Sequence, residues 1–186
     1  RPDVTIKAFK DVDAMKLALQ SSSIDMAFTI TPDVAGQLEG QSGIHVKSID
    51  AGYQYFGRPN LVSGPLTDLK VRSALDLGLD RTAYLTALKG GTVANGAFAH
   101  YYSFAGTEIL TTNPEEANRL LDEAGWVKGS DGIRAKDGQQ LSLRLVTYAM
   151  RPDLSIIMQI MVSQLKELGI AATTRVVDDI QGDVKE

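Results

Sequence analysis

One arginine stands where a ligand anion is most readily held. Leu141–Tyr148 alternates apolar and polar residues, the pattern of a half-buried strand. Beyond it, Leu154, Ile157, Met158, Met161, Val162, Leu165 and Leu168 recur at helical spacing, which predicts a helix from Asp153 to Leu168. Arg151 lies between the two, just past a strand end and just before a helix start. Open α/β sheets take ligands at the carboxyl ends of their strands. A guanidinium beside a helix amino terminus combines forked donors with the positive end of the helix dipole. Arg151 is therefore expected to receive a carboxylate, with Tyr148 and Met150 of the same loop as candidate pocket walls.

Other chemistry finds no such support. The chain has no cysteine, which excludes disulfides, thiolate metal sites and cysteine nucleophiles. Its two histidines, His45 and His100, form neither an H-x-x-x-H nor an H-E-x-x-H pattern, so no histidine metal site is expected. His45 falls in a strand pattern. His100 stands beside Tyr101 and Tyr102 in an aromatic stretch and is kept as a candidate ligand contact. Gly90–Gly96 lacks the Gly-Lys-Ser/Thr ending of a phosphate loop. Asp131-Gly132 and Asp137-Gly138 lack the ligand spacing of a calcium loop and read as turns. Glu115 and Glu116 are explained by helix capping and the helix dipole. No catalytic constellation or cofactor motif is present, and none is expected.

These residues need a scaffold. The 186 residues, 44% hydrophobic and 23% charged, suffice for one domain or one lobe of a larger protein. A net charge of −4 argues against nucleic acid, which needs a basic face. The apolar run from Leu154 to Val162 is too short and interrupted to span a bilayer. Strands are expected at Val4–Phe9, Ile24–Phe28, Ile44–Ile49, Tyr53–Phe56, Leu141–Tyr148 and Ile170–Val177, with a tight hairpin around Ile133–Ala135. Helices are expected after Asp11, over Pro32–Leu38, after Thr67 or Asp68, over Arg81–Leu88 capped by Asp80, and from Asn113 with Pro114 first and Glu116 closing a capping box. Strands alternating with helices make the chain α/β. Thr92–Thr112 is long, irregular and aromatic, the kind of loop that is functional or packs on another lobe.

Four segments, in order, resemble the later part of the family 5 solute-binding proteins of ABC importers, the dipeptide-, oligopeptide- and nickel-binding family. They are Ala14–Ser21 with Ile24–Phe28; Gly64–Leu75 with Leu79-Asp80-Arg81; Asn113–Ala117 with Leu120–Trp126; and Leu145–Tyr148 with Arg151–Leu154 and Gln164–Ile170. The second is the most specific. Ser22-Ser23 depart from the usual Gly-Glu of the first.

The resemblance implies one lobe of a two-lobed periplasmic-binding-protein (type II) clamp, with a mixed sheet flanked by helices. Residues 1–186 would form a single lobe, the second, incomplete at its end. Ligand would sit between the lobes, and closure would signal the transporter. The implied ligands are short peptides or nickel–chelator complexes, and the implied partners are an ABC permease and its ATPase. The implied location is extracytoplasmic: the periplasm, or the cell surface as a lipoprotein, with membrane contact only through the transporter or a lipid anchor outside this stretch. The implied role is capture, not catalysis. Family members with an arginine at the position of Arg151 use it to hold a ligand carboxylate. Tyr53, Tyr55, Arg58 and Asn60 lie where the family has a Tyr-x-Phe-Asn run facing the cleft. Gly57-Arg58-Pro59-Asn60 departs from that run, and Arg58 is a second anion candidate. Arg72 and Arg81 are expected to pair with nearby acids. A ligand-sensing domain of a regulator or chemosensory system, or an enzyme with an unrecognised site, are the alternatives.

Overall fold

The computed structural model describes residues 3–49, 52–99, 101–108, 111–149 and 151–183. The chain divides into two compact units, Arg1–Ala51 and Gly52–Glu186.

The first unit holds two helices, α1 (Val12–Gln20) and α2 (Pro32–Leu38). Each starts on a polar cap that satisfies an otherwise orphaned amide: Asp11 accepts from the Ala14 N–H at 2.8 Å, and Thr31 from the Val34 N–H at 3.4 Å. Val34 and Leu38 of α2 are buried. Lys16 and Gln20 of α1 hydrogen-bond Gln37 and Gln41 across the pair. The strands expected at Val4–Phe9, Ile24–Phe28 and Ile44–Ile49 are absent among the described residues, as is Tyr53–Phe56 of the second unit. Alternation reports a face that would be buried in a sheet. A strand also needs a ladder partner for its amides and carbonyls, and these segments have none among the described residues. Val4, Ile6, Phe28, Ile49 and Phe56 are accordingly exposed.

Apart from Tyr53–Phe56, the second unit follows the expected helix and strand order. A 3-10 turn (Pro65–Thr67) leads into α3 (Leu69–Gly78), α4 (Arg81–Leu88) and α5 (Pro114–Glu123). Asp68, Asp80 and Asn113 cap the three helices. The capping box at α5 does not close: the Asn113 N–H donates to the Leu77 carbonyl at 2.7 Å, and Arg119 engages the Glu116 carboxylate. The left-handed residue ending α4 is Lys89, with φ of 57°, directly ahead of Gly90 and Gly91. The described residues from Thr92 to Thr112 carry no helix or strand.

Strands β1 (Val127–Lys128), β2 (Arg134–Lys136) and β3 (Gln139–Gln140) form an antiparallel meander. Asp137 and Gly138 both take positive φ, 51° and 77°, as the two-residue turn between β2 and β3 demands. Strand β4 (Ser142–Tyr148), helix α6 (Pro152–Glu167) and strand β5 (Ala171–Val177) form a parallel β-α-β unit, with Tyr148 opposite Val177 at its carboxyl end. Leu141 ties meander to parallel pair, donating to Arg134 and accepting from Ala171. The result is a mixed α/β arrangement. A short turn of helix, α7 (Ile180–Asp183), follows β5.

The core gathers Val71 and Ala74 of α3, Ala117 and Leu121 of α5, Leu165 and Leu168 at the end of α6, and Leu141 and Ile170 from the strands. Thr147 is a buried polar residue at 4% exposure, and Arg134 is the buried charge among the described residues at 2%. Its guanidinium donates to the Leu168 carbonyl at 2.8 Å, the Trp126 carbonyl at 2.5 Å, Asn118 Oδ1 at 2.6 Å and Asp122 Oδ1 at 2.5 Å. It thus fastens the meander to the carboxyl ends of α5 and α6, which leave carbonyls without helical partners. Arg81 pairs with Asp76 as expected, whereas Arg72 donates to the Leu66 and Thr67 carbonyls.

Candidate functional site

Arg151 occupies the N-cap of α6, with φ of −127° and ψ of 82°. Pro152 explains that geometry: it excludes the preceding residue from helical φ/ψ and suits the first helical position itself. The Ala149 N–H donates to the Val177 carbonyl at 3.1 Å, so the chain leaves the parallel pair directly before Arg151. The residue therefore sits at the carboxyl end of β4, over the opening of a 16-residue helix.

Its side chain is engaged. Nη2 donates to the Tyr55 hydroxyl at 2.5 Å and to Asp153 Oδ2 at 3.3 Å, while Nε reaches Asp153 Oδ1 at 3.5 Å. The Tyr55 hydroxyl also donates to Asp153 Oδ2. The guanidinium carbon lies 5.3 Å from the Tyr55 ring centre, within cation–π range. The side chains of Arg151 and Asp153 remain 41% and 21% exposed, so solvent and solutes reach the pair. Hydrogen bonding from Arg151 to Asp153, then to Tyr55, holds the guanidinium more firmly protonated than usual. Burial opposes the charge on Asp153, yet the bonds from Tyr55 and Arg151 outweigh it and hold the carboxyl below its ordinary value. Burial and the hydrogen bond to Asp153 push the Tyr55 phenol up.

The other candidates contribute no side-chain bond to this cluster among the described residues. Tyr148 is half-buried at the end of β4. Tyr53 is 86% exposed. Arg58 is exposed, and so is Asn60, whose carbonyl oxygen accepts from the Val62 N–H at 2.9 Å in its own turn. Tyr148 accepts from the Arg151 N–H through its backbone carbonyl at 3.5 Å, and no side-chain hydrogen bond or ion pair joins these four to Arg151 among the described residues. His100 and Met150 lie outside the described residues. Among the described residues of that aromatic stretch, Phe98 and Phe104 meet edge to face at 5.1 Å, and Tyr102 stacks on Phe104 at 5.1 Å. The Tyr101 hydroxyl fills the space where any β-carbon at Gly52 would stand, which sets the aromatic stretch against the start of the Tyr53–Asn60 segment.

The sequence offers Tyr55 only as one of four residues in the Tyr53–Asn60 segment, and Asp153 only as a helix start. The available signal was an acid in the first helical turn two residues after an arginine, opposite charges close along the chain. A shallow polar depression lined by Gly64, Trp126, Lys136, Gln139 and Ser142 lies at the amino end of β4. It is separated from Arg151 by the strand's seven residues, roughly 20 Å. Among the described residues, no three His, Cys, Asp or Glu side chains are grouped to hold a metal ion. None of their helices is long and apolar enough to cross a membrane.

The chain is similar to known proteins over nearly all of its length. It is 28% identical over 188 residues to the oligopeptide-binding protein AppA of Bacillus subtilis, covering 94% of this chain and 33% of that protein. The structure of AppA in complex with a nonapeptide superposes with a TM-score of 0.78 at 28% identity, over 95% of this chain and 36% of that one. A nickel ABC transporter structure from Bacillus halodurans gives 0.73 at 28% identity, over 95% and 38%. The chain spans about a quarter to a third of the length of the curated relatives it matches. The model of the bacterial extracellular solute-binding proteins, family 5 Middle, matches residues 2–186, and the chain belongs to that family.

Proposed function

We propose that this protein captures a small solute bearing a carboxylate outside the cytoplasm and delivers it to an ABC permease and ATPase for import, without making or breaking a bond. The observation that carries the reading is the placement of Arg151: a half-exposed guanidinium at a strand's carboxyl end, beside a helix amino terminus. There a ligand carboxylate gains forked hydrogen bonds and the helix dipole together. Family membership supports the transport role. The solute class is short peptides or nickel–chelator complexes. AppA was solved with a nonapeptide, and a Campylobacter jejuni relative with Ni(L-His). A peptide carboxyl terminus and an amino-acid chelate both present the group that Arg151 suits. The chain contributes to the second lobe of the clamp, and the facing lobe supplies the remaining contacts.

The test is calorimetric titration of the gene's full product with dipeptides and with nickel plus histidine. Binding of one class is expected, with loss of at least tenfold in affinity in the Arg151→Ala variant, as removal of a charge-assisted contact costs about 1.5–3 kcal/mol. Wild-type affinity in that variant would remove the anchor. Turnover of a bound solute would sink the capture reading.

A further inference from the structure

The guanidinium that should meet the ligand already holds a carboxylate of its own chain. Asp153 lies against the edge formed by Nε and Nη2, with Oδ1 3.5 Å from Nε and Oδ2 3.3 Å from Nη2. That edge is the one an incoming carboxylate would use side-on. We propose that Asp153 is an internal substitute for the ligand: steadied by Tyr55, it occupies the anion seat of Arg151 and is displaced when a ligand carboxylate arrives. This rests on the reading of Arg151 as the ligand's anchor.

Two features make the exchange feasible. Both distances exceed the ~2.7–2.9 Å of a tight charge-assisted pair, so Asp153 fills the seat loosely. Asp153 also lies in the first turn of α6, where a carboxylate is favoured by the helix dipole without any partner. Once displaced it keeps that favourable position. The exchange has a consequence for selectivity. With Asp153 still beside the seat, a second negative charge on the ligand is repelled, and a cationic group next to its carboxylate is welcomed. The seat therefore suits zwitterionic solutes, peptides or amino-acid chelates, over polycarboxylates.

The experiment is calorimetry on the gene's full product with two probes, trialanine and nickel with excess histidine. The wild type is compared with Asp153→Asn, Tyr55→Phe, Arg151→Ala and the Arg151→Ala/Asp153→Asn double variant. Asp153→Asn should bind the accepted probe about two- to fivefold more tightly, the range for release of a half-exposed ion pair. Tyr55→Phe should gain in the same direction. The gain should vanish in the double variant. Equal or weaker binding by Asp153→Asn, with binding still lost in Arg151→Ala, overturns the displacement and leaves the anchor intact. Unchanged binding by Arg151→Ala overturns both. Failure of both probes to bind any form, Asp153→Asn included, also overturns the proposal, since a freed seat that takes no carboxylate is not an anion seat. If Asp153→Asn does not fold, Tyr55→Phe decides alone, and equal or weaker binding there refutes it.

Discussion

Replacing Arg134 with methionine should destabilise the second unit by about 2–4 kcal/mol, a figure built from its contacts. The guanidinium is 2% exposed and donates to the carbonyls of Leu168 and Trp126 and to the side chains of Asn118 and Asp122. Asp122 is 60% exposed in its side chain and regains water when the arginine goes. Leu168 is 2% exposed, so its carbonyl does not. Three charge-assisted bonds at about 1.5–2 kcal/mol each give a gross loss of roughly 5 kcal/mol. Methionine fills similar volume and no longer buries a charge, which returns about 1–3 kcal/mol. Lysine should do no better, since it keeps the buried charge and lacks the planar fork. The assay is urea unfolding of the 186-residue chain, followed by the fluorescence of Trp126, the chain's one tryptophan. Trp126 packs against the core and gives its carbonyl to Arg134. A midpoint shift worth less than about 1 kcal/mol, with the slope unchanged, would refute the claim that Arg134 fastens the meander to α5 and α6.

Three further outcomes are expected. Gly169→Ala should cost about 1–3 kcal/mol in the same assay, because φ is 80° and a β-carbon there would stand 2.9 Å from both the Gly132 carbonyl oxygen and Lys128 Cε. Burial pushes the Tyr84 phenol up to about 12. Its proton is held more tightly folded than unfolded, so its stability contribution is complete below pH ~10 and is lost as pH rises toward 12; an absorbance titration in which Tyr84→Phe removes no late-titrating tyrosine would contradict this. The Asp153 carboxyl is held low, so its contribution is present above pH ~4 and is lost as pH falls through its lower folded value. Asp153→Asn should flatten that acid limb in a pH series of thermal melts, and an unchanged limb would show that the ion pair adds nothing to stability.

The helices were legible because their signals are local. Asp11, Thr31, Asp80 and Asn113 cap helices at the positions their types suggest, and the apolar stripe of α6 identifies a helix without reference to anything distant. Strand β4 was legible through its alternation, and β5 lies across the α6 crossover in the register a parallel partner requires. Val4–Phe9 and Ile44–Ile49 alternate comparably, yet form no ladder among the described residues. Alternation gives a side chain's preferred face and says nothing about which backbone lies alongside. The role of Arg134 was hidden for a related reason. A charged residue in a hairpin reads as solvated, and only the convergence of two helix ends on one point supplies the carbonyls that let it be buried.

The proposed anion seat divides along the same line. The position of Arg151 follows from short-range facts, a strand end, a proline and a helix start, and each is written within ten residues of it. Whether its charge is available is a different property. Tyr55, 96 residues earlier, shares its hydroxyl between Arg151 and Asp153, and nothing in the local sequence announces that meeting. Asp153 has two roles at once: it answers the dipole of α6, the role visible locally, and it faces the guanidinium two residues before it. If both hold, the ligand is selected less by a bare positive charge than by its ability to outcompete a carboxylate already seated. A protein that uses such a seat would favour solutes carrying their own compensating cation. Peptides and amino-acid chelates share that feature, so one seat suits both ligand classes seen among the relatives, and discrimination between them falls to contacts beyond Arg151.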